Sequence, residues 1–74
     1  MPKSPRDVTQ GEVVRALVNA GGQELRNRGK GSHRMVKMPN IDRPVVVPAK
    51  LKTGLVAAII KQAGLSLEDF LEAL

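Results

Sequence analysis

The segment best suited to chemistry is Arg26-Asn27-Arg28-Gly29-Lys30-Gly31-Ser32-His33-Arg34. It contains the only histidine of the chain, His33, with cationic side chains on both sides. Gly29 and Gly31 can adopt a positive φ, so a turn at this point would let backbone N–H groups approach an anion such as phosphate. The segment therefore combines a proton-transfer group with a possible phosphate-binding turn.

An imidazole exchanges protons near neutral pH and can serve as a general base or a general acid. RNA cleavage uses such a group, because the 2′-hydroxyl must lose its proton to attack the neighbouring phosphate. Fixed cations would stabilise the charge that develops on that phosphate. On these residues alone, the alternative is a surface histidine that hydrogen-bonds a phosphate or the turn, with Gly29 and Gly31 serving only as hairpin residues.

Positive charge is concentrated in the middle of the chain. The 74 residues include 12 Lys or Arg and 7 Asp or Glu, for a net charge of +5. Residues 26–52 contain eight Lys or Arg and one acidic residue, Asp42, for a net charge of +7. This block favours a polyanionic partner such as a nucleic acid backbone over a merely solubilising surface. It contains no aromatic residue, which argues against base stacking of the RRM or OB type.

The composition excludes several classes of protein. Without Cys there is neither a disulfide framework nor a Cys-based zinc site. Asp42 alone is not the carboxylate set that usually holds Mg²⁺, so we expect no metal and no cofactor. The longest apolar run, residues 55–60, is shorter than the roughly 18–20 residues of a membrane span, and the N-terminus lacks the apolar segment of a secretory signal. We therefore expect a soluble, cytoplasmic protein.

Hydrophobic spacing and turn residues predict the elements that position this segment. Thr9 and Glu12 form a capping-box pattern at the start of a helix over 10–20, which Gly21-Gly22 ends. Three short extended segments and two further helices follow, at residues 23–28, 32–38, 44–47, 55–63 and from Ser66 onward. The order predicts an α+β fold, a small two-layer α-β-β-β-α-α domain with a three-stranded antiparallel sheet and helices on one face.

This domain should span residues 8–74, after a loose N-terminal segment of residues 1–7. We expect the apolar side chains at helical spacing to be buried, and Met35 and Met38 to fill the core. These side chains are Val13, Val14, Leu17 and Val18 in the first helix, Leu55, Val56, Ile59, Ile60 and Ala63 in the second, and Leu67, Phe70, Leu71 and Leu74 in the last. A core this small stabilises a domain by only about 3–5 kcal/mol. We therefore expect oligomerisation or a bound partner to add stability.

A series of motifs and predicted elements gives the chain a resemblance to a known family. In order along the chain, they are a helix, Ala20-Gly21-Gly22, a short strand, Gly29-Lys30-Gly31-Ser32-His33, a strand, Val46-Val47-Pro48, and Lys61-Gln62-Ala63-Gly64-Leu65-Ser66-Leu67-Glu68-Asp69-Phe70. With these elements in this order, the chain resembles the HicA toxins over about residues 8–72. The resemblance implies a double-stranded-RNA-binding-like fold and ribosome-independent cleavage of mRNA. It also implies His33 as the catalytic residue and a HicB-like antitoxin as the partner.

The expected roles of the surrounding residues follow from that resemblance and from their charge. Lys30 and Arg34 would hold the scissile phosphate, Ser32 and the glycine N–H groups would shape the turn, and Arg26, Arg28 and Lys37 would track the RNA backbone. Many relatives have histidines at the positions of Arg34 and near Ala49-Lys50, so Lys50 or Lys52 would have to substitute electrostatically.

Two other functions remain open on the sequence. A non-catalytic double-stranded-RNA-binding module would use the same basic stretch without histidine chemistry. A DNA-binding regulator would need a recognition helix rich in basic and amide side chains. The helix at 10–20 offers only Arg15 and Asn19, and the helix at 55–63 only Lys61 and Gln62, so this third function ranks last.

Overall fold

A computed structural model describes residues 8–25 and 33–74. Three antiparallel strands form a sheet in the order β1-β2-β3. This arrangement confirms the predicted α+β class and the double-stranded-RNA-binding-like architecture. The segment 1–7, expected to be loose, lies outside the described residues. The elements are α1 (Gln10–Asn19), β1 (Gln23–Leu25), β2 (Arg34–Lys37), β3 (Val45–Val47), α2 (Thr53–Gln62) and α3 (Leu67–Ala73).

Helix α1 has the start and the end that its sequence predicts. The Thr9 hydroxyl accepts from the Glu12 backbone N–H, and the Glu12 carboxylate accepts from the Thr9 backbone N–H, so the capping box is complete. At the other end, Gly21 has φ 111°. The N–H groups of Gly21 and Gly22 donate to Val18 and Leu17, the pattern of a Schellman motif. The chain can therefore turn sharply from α1 into β1.

Helices α2 and α3 are joined by a second turn of the same kind. Gly64 has φ 75°, and its N–H and that of Leu65 donate to Lys61 and Ile60. Ser66 then caps α3, as predicted, by accepting from the N–H of Asp69 at 3.0 Å. The Asn19 amide donates to the Ala73 carbonyl at 2.7 Å, which fixes the end of α1 against the end of α3.

The sheet has one face covered by helices and one open face. Helix α1 contacts all three strands and α2 packs on β3. Val36, Val45 and Val47 are buried on the covered face. On the open face, the register places Leu25 opposite Met35 and Met35 opposite Val46. Met35 and Val46 are 36% and 41% exposed, so a row of apolar side chains crosses all three strands in contact with solvent.

Three expectations about the core are wrong. Val18 is 41% exposed, because it lies about 120° around α1 from the midpoint of the buried Val13 and Leu17. The small Ala16, about 80° from that midpoint on the other side, is buried instead. Leu67 is 50% exposed, since it occupies the first turn of a short helix whose burial is centred on Phe70. Met38 is buried as expected, but Met35 is not, because it points to the open face of the sheet.

Candidate functional site

His33 lies immediately before β2 and is exposed to solvent. Its ring is therefore not enclosed in the apolar core, which a role in proton transfer to a large substrate requires. His33 lines a cleft of about 720 Å³ that runs along β3 toward α2. The residues lining the cleft are His33, Ile41, Asp42, Arg43, Pro44, Val45, Val46, Pro48, Leu55, Ile59 and Gln62.

Three polar residues that the sequence did not single out for the site line the same cleft as His33. Asp42 and Arg43 come from the β2–β3 connection, and Gln62 comes from the last turn of α2. The guanidinium of Arg43 can bind a phosphate through several N–H donors. Arg43 belongs to the basic block, and charge alone could have selected it. Gln62 carries no such signal, since only the packing of α2 beside β3 brings it to the cleft.

Arg34 is held in an ion pair with Glu24 across β1 and β2. Its Nε donates to Glu24 Oε2 at 2.7 Å and its Nη2 to Glu24 Oε1 at 2.9 Å. The hydrogen bond from Arg34 lowers the pKa of Glu24 below the ordinary glutamate value, and the same bond raises the pKa of Arg34. Two of the guanidinium nitrogens that were expected to hold a phosphate therefore bind a carboxylate of the same chain.

Lys37 also has partners within the chain. Its Nζ donates to the carbonyl of Met38 at 2.9 Å and to the carbonyl of Ile41. The half-buried side chain thus fastens the turn between β2 and β3, and any contact with RNA would add to this role.

The remaining site residues divide into two groups. Lys50 is exposed, two residues after Pro48, which lines the cleft with His33. The other predicted residues lie outside the described part of the chain, namely Arg26, Arg28, Gly29, Lys30, Gly31 and Ser32. Among residues 8–25 and 33–74, no three His, Asp or Glu side chains are grouped so that they could hold a metal ion.

Fold and site together define a small α+β domain with a double-stranded-RNA-binding-like fold, which presents a solvent-exposed histidine in a cleft that is also lined by Arg43. The family model of the HicA toxin of bacterial toxin–antitoxin systems matches residues 11–65, which include β1 to β3, α2 and His33. The chain belongs to the HicA toxin family, and it is the toxin of a toxin–antitoxin module with an antitoxin as its partner.

No curated protein and no solved structure matches the chain significantly. In the part of the chain that the structure describes, no helix is long and apolar enough to cross a membrane.

Proposed function

We propose that this toxin is an endoribonuclease that cleaves mRNA in the cytoplasm, with His33 as its general base and acid. The observation that carries the proposal is the position of His33, exposed at the start of β2 in a cleft that also contains Arg43. Membership of the HicA family supports the same activity.

The reaction follows from the chemistry of RNA and of imidazole. His33 takes the proton of a ribose 2′-hydroxyl, and the 2′-oxygen forms a bond to the adjacent phosphorus. The bond from phosphorus to the 5′-oxygen breaks, and the imidazolium returns the proton to that leaving oxygen. The products are a 2′,3′-cyclic phosphate and a 5′-hydroxyl. Such proton transfer contributes typically about 10²–10⁴-fold to a rate.

Cations of the basic block supply the electrostatic part of catalysis. Lys30 and Ser32 hold the scissile phosphate, and Arg43 adds a second contact from the cleft. Arg26, Arg28 and Lys50 follow the RNA backbone on either side. Some donors of Arg34 and Lys37 already bind Glu24 and the turn carbonyls. These two side chains therefore bind RNA only through their remaining donors.

The partner is a HicB-like antitoxin that covers His33 and the cationic side chains of residues 26–52. An acidic inhibitor would exclude RNA and offset the repulsion among the eight cations of residues 26–52. A complex in which the antitoxin contacts only α2 and α3, and leaves His33 reachable, would contradict this mode of inhibition.

The direct test is to incubate the purified chain with end-labelled single-stranded RNA. The wild type should shorten the RNA to fragments with 2′,3′-cyclic phosphate ends, and His33→Ala should bind RNA without cutting it. Glu72→Ala on α3 is the control, since Glu72 does not line the cleft, and this variant should cleave like the wild type. An alanine variant at His33 that cleaves normally would remove the catalytic assignment.

The same assay tests metal independence and the competing function. Cleavage should persist in excess EDTA, because Asp42 is the only carboxylate among residues 26–52; complete loss of activity would contradict this. A non-catalytic double-stranded-RNA-binding module would retard the RNA in a gel and leave its length unchanged, with wild type and His33→Ala behaving alike.

A further inference from the structure

The Glu24–Arg34 ion pair lies at the end of the sheet from which His33 emerges. Glu24 is opposite Val36 in the β1–β2 register. Arg34 is therefore its diagonal neighbour, within reach across the same face of the sheet. The two parallel hydrogen bonds, 2.7 and 2.9 Å long, have the bidentate geometry that fixes a guanidinium in orientation as well as in position.

Strand β3 and helix α1 also contact the region around Arg34. Arg34 is opposite Val47 in the β2–β3 register, and the Val47 carbonyl accepts from Gln10 Nε2 at 2.9 Å. A Cβ on Gly11 would lie 3.9 Å from Arg34 Nη1, so the first turn of α1 approaches the guanidinium closely. Helix α1 and all three strands are thus tied together next to His33.

We propose that Glu24 and Arg34 are positioning residues that hold the backbone at His33 in place for catalysis, an inference that rests on the proposed nuclease function. Strand β1 ends at Leu25 and β2 begins at Arg34. The ion pair therefore lies at the first residue of β2, which directly follows His33 in the chain. His33 directly precedes Arg34, which is paired with Val47 in the β2–β3 register, so the position of Arg34 helps to set the position of the His33 backbone.

Electrostatics supports this role over that of a phosphate ligand. A carboxylate beside the basic block weakens the attraction of RNA, so Glu24 opposes binding. If Arg34 served to bind phosphate, neutralising Glu24 would release the guanidinium and strengthen RNA binding. If the pair holds His33, the same change would loosen the site. The two roles predict opposite effects of one substitution.

The test compares Glu24→Gln with Glu72→Gln, which makes the same change of charge on α3. Single-turnover and steady-state cleavage of a labelled RNA give kcat and KM for the full chain. We expect Glu24→Gln to lower kcat roughly 10-fold or more, since misplacement of a catalytic group by 1 Å can cost about 100-fold. The KM should not rise, and Glu72→Gln should cleave like the wild type. A Glu24→Gln variant that cleaves as fast as Glu72→Gln, or faster, overturns the proposal.

A charge swap provides the rescue. In Glu24→Arg/Arg34→Glu the ion pair can re-form with its charges exchanged, whereas Arg34→Glu alone places two carboxylates together. Positioning predicts that the double variant recovers most of the kcat lost in Arg34→Glu. A double variant as inactive as Arg34→Glu shows that position 34 itself must be cationic, and the proposal is then wrong. Should the swap not fold, the comparison of Glu24→Gln with Glu72→Gln still decides.

A measurement without RNA separates this inference from the nuclease function. The backbone amide of His33 should exchange with solvent faster and relax as a more mobile group by NMR in Glu24→Gln than in Glu72→Gln. If the wild type does not cleave RNA, the proposed function fails. The difference in His33 amide exchange between the two variants still tests whether the Glu24–Arg34 ion pair holds the backbone at His33. If the exchange and relaxation of the His33 amide are the same in Glu24→Gln as in Glu72→Gln, the ion pair does not hold this backbone in place, even if the protein is an active nuclease.

Discussion

The two faces of the sheet contain similar apolar residue types, but one face is buried beneath the helices and the other is exposed to solvent. The covered face carries Val36, Val45 and Val47, all buried beneath the helices. On the open face, Met35 and Val46 form a row with Leu25 that remains in contact with solvent. The difference is one of partners rather than of sequence, since hydrophobicity alone does not distinguish Val46 from its neighbours Val45 and Val47.

The functional residues Arg34 and His33 also differ in their surroundings, because successive side chains along a strand point to opposite faces. Arg34 and Val36 project to the covered side, so the Arg34 guanidinium meets Glu24 and the start of α1. His33, one residue earlier, is exposed and lines the cleft. Two adjacent residues of the basic block therefore have different surroundings, and we assign them different roles, catalysis to His33 and positioning to Arg34.

The largest expected effect separates the two methionines. Met38 is 2% exposed and Met35 is 36% exposed, so Met38→Ala leaves a cavity and Met35→Ala does not. We expect Met38→Ala to lower the free energy of unfolding by about 2–5 kcal/mol. This approaches the whole stability of a small domain. Met35→Ala should change it by less than about 1 kcal/mol, within the range of most surface substitutions. Urea denaturation of both variants checks this, and equal losses would contradict the division between the faces.

A second pair of substitutions tests how tightly the covered face is packed. A Cβ on Gly22 would lie 2.7 Å from both Met38 Sδ and Val36 Cγ1, whereas a Cβ on Gly54 would meet nothing within 4 Å. Gly22→Ala should therefore destabilise the protein by about 1–3 kcal/mol through overpacking. Gly54→Ala, in the first turn of α2, should stabilise it by about 0.4–1 kcal/mol. Thermal melts of the two variants should shift in opposite directions; a Gly22→Ala melt at or above the wild type would show that the core yields easily.

Local signals in the sequence predicted much of the fold. Thr9, Gly21, Gly64 and Ser66 each act on neighbours within a few residues, and the helix boundaries that they predict are confirmed within two residues at each end. The strands were predicted in the correct order, but the second and third predicted segments ran past the paired residues at Met38 and Pro44, because turn residues indicate where a chain can reverse and not how many pairs form. Burial of Met35 was misjudged for a related reason, since composition does not reveal which face of a strand is covered.

The site was less accessible to sequence reasoning. His33 could be singled out by residue type, but the partners of Arg34 and Lys37 depend on register and turn geometry. Glu24 and Arg34 are ten residues apart and meet only because β1 and β2 pair in one particular register. Arg43 and Gln62 reach the cleft through the packing of the β2–β3 connection and α2. Spacing along the chain reports none of these relations.

The smallest expected effect concerns the ion pair and has a defined pH dependence. The hydrogen bond from Arg34 lowers the pKa of Glu24 in the folded state, so the folded protein binds the Glu24 proton less readily than the unfolded chain. This contribution to stability is complete above the unfolded glutamate pKa of about 4.3 and disappears as the pH falls through the lower folded value. Both side chains are more than one-third exposed, and solvent screening limits such pairs to less than about 1 kcal/mol.

Glu24→Gln should therefore be less stable than the wild type at pH 6, and the difference should shrink as the pH falls below about 4.3. Urea denaturation at a series of pH values measures the difference. Repeating the substitution in an Arg34→Met background completes a double-mutant cycle, in which the pH dependence should vanish if Arg34 causes it. A difference that persists unchanged at pH 3, or in the Arg34→Met background, would mean that Glu24 stabilises the covered face by packing rather than by charge. The covered face would then influence the position of His33 only through the backbone of β2, and not through the Glu24–Arg34 ion pair.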